Sequence, residues 1–213
     1  MKILRIIRTV FVAALILGYA LPAAAQYIGV LQSAETMDRG TFKLMAAPLI
    51  VFGKEGTDNG TALTVRGGYA FTNRFDTEVK MGFFENGTLI GADGELWILQ
   101  GANRESGLDL SLTGGLHWMS GSNDRYDTVG LELMPQLSGH VSKKLELYGA
   151  LDFNFEKNKD APNGIKDTFT LAHLVPGIEY SLSNMLDLVA EFGIGINDNS
   201  SNYAGGGITI YFR

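Results

Sequence analysis

Residues 107–119 read GLDLSLTGGLHWM, and the way this stretch divides decides the fold. Leu108, Leu110, Leu112, Gly114, Leu116 and Trp118 fall on one parity, while Asp109, Ser111, Thr113, Gly115 and His117 fall on the other. Successive side chains of an extended chain point to opposite faces, so the segment has one apolar face and one polar face. Wound as a helix, the same leucines would lie on every side. The division recurs elsewhere. Leu145, Leu147, Leu151, Phe153 and Phe155 oppose Glu146, Tyr148, Asp152 and Asn154. Phe75, Thr77, Val79, Met81 and Phe83 oppose Asp76, Glu78 and Lys80, and Leu186, Leu188, Ala190, Phe192, Ile194 and Ile196 oppose Asp187, Glu191 and Asn197.

Working outward from this stretch, ten segments of this kind run at 41–53, 60–72, 74–84, 88–101, 107–119, 126–139, 143–156, 167–181, 185–197 and 202–213. The eighth is the least regular, and a bulge is expected near His173 to Pro176. Tight connections (72–74, 102–106, 140–142, 182–184) alternate with mostly longer, polar ones such as SGSNDRYD and EKNKDAPNGIKD. The expected fold is all-β: a closed antiparallel up-and-down transmembrane β-barrel of about ten strands, with eight or twelve as the alternatives. An even count puts both chain ends on the side of the tight turns. Segments of this length cover the roughly 9–11 residues that a tilted membrane strand needs, and closure leaves no unpaired edge in lipid.

A soluble barrel would alternate in the same way, so the face that points outward must be argued separately. Apart from Arg74, Lys143, Lys144 and Arg213 at segment ends, only Lys43, Arg66 and Lys80 of the basic residues lie within the segments, fewer than a water-facing sheet normally carries. Aromatic residues gather near the segment ends: Phe52, Phe83, Trp118, Tyr126, Phe155 and Phe169 at the loop side, and Phe42, Phe71, Phe75, Tyr180 and Phe212 at the turn side. Such positions form girdles at the two membrane interfaces. The last segment, YAGGGITIYFR, adds a specific signal. Tyr203, Gly205, Ile208, Ile210 and Phe212 resemble the C-terminal assembly signal of small Gram-negative outer-membrane β-barrel proteins, departing from it in the final Arg213. The resemblance implies a bacterial outer-membrane location, lipid as surroundings, and barrel assembly machinery and periplasmic chaperones as partners during biogenesis.

The N-terminus reads as a secretory signal. Lys2, Arg5 and Arg8 precede an apolar core from Val10 to Leu21, and Ala23 and Ala25 place small residues at a cleavage site. The expected organisation is a cleaved signal peptide at 1–25, a periplasmic lead-in at 26–40 without clear period, and the barrel at 41–213. The chain carries 17 basic and 23 acidic residues; without the three signal-peptide cations the balance is 14 against 23, a net −9. An acidic exported protein has no basic stripe to neutralise phosphates, which excludes nucleic acid as a partner. The absence of Cys removes disulfides, thiolate metal sites and a Cys nucleophile.

With the apolar face outward, the other face lines a lumen. It holds eleven acids, Asp76, Glu78, Asp93, Glu95, Asp109, Glu132, Glu146, Asp152, Glu179, Asp187 and Glu191, against three bases, Lys43, Arg66 and Lys80. Three cations cannot pair eleven acids, and an unpaired carboxylate taken out of water costs several kcal/mol. Water, protonation or bound cations are therefore expected to help. Two readings stay open at this point: a narrow, cation-leaning pore with an acidic lumen, and a structural barrel whose acids are held by other side chains. Ten strands lie close to the size that side chains can fill. An outer-membrane hydrolase would need a base at the lumen rim, for which His117 with Asp93 on the neighbouring strand is the candidate. No GxSxG, HExxH, P-loop or dinucleotide fingerprint is present, so no enzyme and no cofactor are expected. No metal site is expected either, the Asn/Asp-containing loops 122–127 and 197–202 reading as solvated. A surface adhesion or receptor barrel would work through loops 120–127 and 156–167, which are short and lack apolar anchors.

Overall fold

The computed structural model describes residues 28–54, 59–85, 87–101, 107–121, 127–159 and 167–213. Among these, ten strands follow one another: β1 (Phe42–Val51), β2 (Gly60–Thr72), β3 (Phe75–Phe84), β4 (Gly87–Leu99), β5 (Leu108–Gly121), β6 (Thr128–Ser142), β7 (Leu145–Asn158), β8 (Thr168–Ser183), β9 (Leu186–Gly195) and β10 (Tyr203–Phe212). Each pairs with its sequence neighbours, and the sheet closes into a barrel through β1 and β10. That seam is antiparallel and runs from Phe42↔Phe212 to Val51↔Tyr203. Ile208, Ile210 and Phe212 of the expected assembly signal lie on this closing strand, which stops at Phe212 and leaves Arg213 outside it.

Parity becomes inside and outside as the alternation requires. In β5, Leu108, Leu116 and Trp118 are exposed, whereas Asp109, Ser111, Thr113, His117 and Met119 are buried. Across the barrel the exposed large hydrophobic side chains are mostly Leu, Ile, Val and Phe, and the buried set is rich in Asp, Glu, Lys, Thr and Ser. The aromatics at the strand ends face outward, including Phe42, Phe52, Phe71, Phe75, Phe83, Trp118, Phe155, Tyr180 and Phe212. Tyr126 and residues 1–25, expected as a signal peptide, lie outside the described residues.

The irregularities sit elsewhere than the bulge expected at 173–176. Through that stretch the β7–β8 register is unbroken, from Leu145↔Tyr180 to Lys157↔Thr168. Instead every hairpin at the turn end carries a register shift just before its turn, leaving Phe71, Ile98, Val141 and Leu182 without an opposite residue. The prolines explain how the ladders survive. Pro48, Pro135 and Pro176 lack an N–H, and the pairing lapses at each of them on one side only, at the β10, β7 and β9 ladders respectively.

The stretch expected as a periplasmic lead-in is placed differently from that expectation. Ile28, Val30, Leu31, Gln32, Ser33, Ala34, Thr36 and Met37 are all buried, and their partners are inward-facing residues of the barrel wall. The segment has no repeating period because it makes no sheet. Its backbone groups bond to side chains of the wall instead, as buried backbone must.

Candidate functional site in the barrel lumen

The threaded segment crosses the lumen from one end to the other. At the loop end Ile28 packs with Leu89, Met119 and Phe84. At the turn end Met37 N donates to Asp76 Oδ2 at 3.2 Å and Arg39 N to Asn73 Oδ1 at 2.8 Å. Gly40, with φ +82°, then reverses the chain into β1. Ten residues reach at most about 33–36 Å, enough to cross the roughly 25 Å lipid band of such barrels.

Glu191 and Arg66 grip the first residues of this segment, 28–31. Glu191 accepts four hydrogen bonds: from Val30 N at 2.8 Å, Leu31 N at 2.6 Å, Tyr148 OH at 2.7 Å and Tyr203 OH at 2.8 Å. Two successive backbone N–H groups reach one carboxylate because Gly29 and Leu31 have φ of +76° and +56°, a concave backbone of the kind that cradles anions. Arg66 donates in the opposite sense, to the carbonyls of Ile28 and Val30 at 3.2 and 2.8 Å and to that of Gly29. Below this grip, Gln32 bridges Glu95 and Lys43 at 3.2 and 3.0 Å, and Ala34 N meets Ser138 Oγ at 3.2 Å. Val30 and Leu31 join Met45, Ala47, Leu49, Val51, Met134, Tyr148 and Tyr203 in an apolar cluster inside the barrel, which the polar reading of the lumen did not anticipate.

All fourteen charged residues assigned to the lumen project inward. The three bases and ten of the acids are buried, and Glu179 is half-buried. Lys43 and Arg66 pair with Glu78, the latter at 3.6 Å. Lys80 pairs with Asp93 at 2.9 Å and with Glu132. Other acids are held without cations. Glu95 accepts from Ser111 at 2.5 Å, Asp109 from Trp97 Nε1 and Gly101 N at 3.1 and 2.9 Å, and Asp152 from Asn154 at 2.9 Å. Protein donors thus take much of the part that water or bound cations were expected to play.

The His117–Asp93 pair does not form. Asp93 is taken by Lys80, and His117 Nε2 lies 2.7 Å from Glu156 Oε1, two strands away. The register shows why: Gly91, His117, Gly130 and Glu156 form one row across β4 to β7. A Cβ at Gly130 would stand where the imidazole lies, so the glycine lets His117 reach over β6. Glu156 escaped the sequence reading because it was counted with the loop, although it continues the parity of Asp152 and Asn154. In the 197–202 loop, Lys54 Nζ sits on the carbonyls of Asn197 and Asp198 at 3.1 and 2.8 Å. Of the 122–127 loop, residues 122–126 lie outside the described residues.

A closed ten-stranded barrel with hydrocarbon side chains outside and ion pairs within is the architecture of a transmembrane β-barrel. The family model for the outer membrane protein beta-barrel domain matches residues 11–212, and the chain belongs to that family. It is a protein of the bacterial outer membrane, with lipid around it. Among solved structures it is similar to a bacterial polysaccharide outer membrane secretin (12% identity, TM-score 0.50, covering 81% of this chain and 66% of that one). It is also similar to the KdgM porin (10% identity, TM-score 0.50, 80% and 99% covered) and to the translocator domain of autotransporter NalP from Neisseria meningitidis (11%, 0.48, 83% and 89%). The chain spans just under two thirds of the length of the secretin. At these identities the likeness is one of fold. No curated protein sequence matches the chain.

Proposed function

We propose that this protein is a sealed structural barrel of the outer membrane, its lumen closed by its own segment 28–37 and conducting no steady ion current. The observation that carries this reading is the grip on that segment: Glu191 accepts from two of its backbone N–H groups and Arg66 donates to three of its carbonyls, both from mid-strand positions of the wall. A cation-leaning pore would need this backbone to leave, breaking charge-assisted bonds worth roughly 1.5–3 kcal/mol each. Catalysis is not part of the reading, since the His117 imidazole is engaged by Glu156 and Asp93 by Lys80. Nor is adhesion, for which loops 120–127 and 156–167 are short and lack apolar anchors.

The same reading includes cleavage after Ala25, leaving Gln26 as the N-terminus, and recognition of the closing strand β10 by assembly machinery and periplasmic chaperones. Planar-bilayer recording on the mature chain, shown to be folded by its heat-modifiable gel mobility, tests the central claim. A flat baseline at both polarities is the expected result. Discrete, reproducible openings from the intact chain would overturn it.

A further inference from the structure

At the turn end of the lumen Glu35, on the threaded segment, meets two residues more than a hundred positions further along the chain: His140 near the end of β6 and Glu146 at the start of β7. Glu35 Oε2 lies 3.8 Å from His140 Nε2, and His140 Nδ1 lies 3.8 Å from Glu146 Oε1. One ligand atom from each residue falls within 4.8 Å of the other two. The arrangement follows from the register, because His140 and Glu146 are direct partners in the β6–β7 ladder, while the Ala34–Ser138 hydrogen bond holds the segment beside them.

Two independent observations point to a ligand. Glu146 is 6% exposed, and its Oε1, the atom facing His140, has no hydrogen-bond partner. A buried carboxylate oxygen in that condition is costly. Glu146 also stands directly across β7–β8 from Glu179, and like charges opposed in a ladder repel. A cation at this point would answer both. The donor set selects its class: one imidazole nitrogen and two carboxylates suit Zn²⁺ and its neighbours, with water completing a four-coordinate shell, whereas Ca²⁺ takes six to eight oxygens.

We propose that Glu35, His140 and Glu146 form a site for a divalent transition-metal ion of the Zn²⁺ class, and that the bound ion fastens the threaded segment to the barrel wall. Because Glu35 belongs to the segment and the other two to the wall, the ion bridges what would otherwise separate. The fastening role rests on the sealed reading above; the binding itself rests on the three side chains alone.

The test is calorimetric titration of Zn²⁺, with Ca²⁺ as control, into the untagged, folded mature chain after chelator treatment. One Zn²⁺ per chain is expected, with affinity falling at least tenfold in each of Glu35→Gln and His140→Asn, and slower amide exchange at 34–37 when Zn²⁺ is added. His140 is partly exposed near a turn, so His140→Asn leaves the barrel folded and keeps the test decisive if Glu146→Gln does not assemble. No saturable binding by the folded chain, or binding indifferent to both Glu35→Gln and His140→Asn, would overturn the proposal. Conductance is read separately: a silent barrel that ignores Zn²⁺ defeats the metal site only, and a conducting one that binds Zn²⁺ defeats the sealed reading only.

Discussion

Glu191 is where residue-scale chemistry is most concentrated. Its two phenolic donors are each seated over a glycine. Tyr148 lies directly opposite Gly177 in the β7–β8 ladder and Tyr203 opposite Gly193 in β9–β10, and a Cβ on either glycine would collide with the ring. Gly193→Ala should therefore displace Tyr203 and lower the unfolding free energy by about 1–3 kcal/mol, the usual range for overpacking; urea titration in phospholipid vesicles reads this, and an unchanged midpoint would refute it. Glu191→Gln replaces an acceptor-only group with one carrying its own donors, so it cannot receive all four bonds. A loss of about 2–3 kcal/mol is expected, with faster amide exchange at Val30 and Leu31. Leu31 supports this from the backbone side: a non-glycine residue at φ +56° is held at a cost of about 1–2 kcal/mol, and such conformations persist where the surroundings over-determine them.

At the scale of the strand, the four unopposed residues at the turn end share a property. Phe71, Ile98, Val141 and Leu182 are all apolar and exposed, and each is the extra residue of a register shift. A bulge re-aims side chains and adds local twist, so these shifts give the turn-side rim an added ring of apolar contacts. Depth in the membrane can be tested by pairing one of them with a mid-strand residue. Val141 is 62% exposed and Leu116 is 63% exposed, so solvent accessibility does not separate them. Leu116→Arg should cost about 2–4 kcal/mol and Val141→Arg about 0–1 kcal/mol, because the penalty for Arg falls from the bilayer midplane to the interface. Equal costs in vesicle unfolding would contradict the assignment of β5 and the β6–β7 turn to these depths.

For the molecule as a whole, the wall carries a formal −9 from twelve inward acids, Glu156 included, and three bases, and the threaded segment supplies backbone N–H groups that three lysine and arginine side chains could not replace. Removing residues 28–37 should leave a folded barrel of lower stability, since Arg66 and Glu191 then face lumen water rather than dry protein. The truncated chain should show discrete cation-preferring openings in planar bilayers, where rings of acids favour cations, while the intact chain stays silent. A truncated barrel that folds yet remains silent would mean that side chains alone close the lumen.

Strand order, sidedness and the inward set of acids were readable because parity is a local property: residue i and residue i+2 share a face whatever surrounds them, and residues 107–119 show it plainly. Residues 26–40 carry no such period. From residue 28 on, their structure is set by side chains on many strands of the wall, from Lys43 and Arg66 to Ser138 and Glu191, which only barrel closure brings around them. The same reason sends His117 to Glu156 rather than Asp93, and joins Glu35 to His140 and Glu146. The alternation in the chain determined which residues face lipid and which face inward. Tertiary structure alone decided what fills the interior, because contacts across a closed ring depend on curvature and register rather than on spacing along the chain.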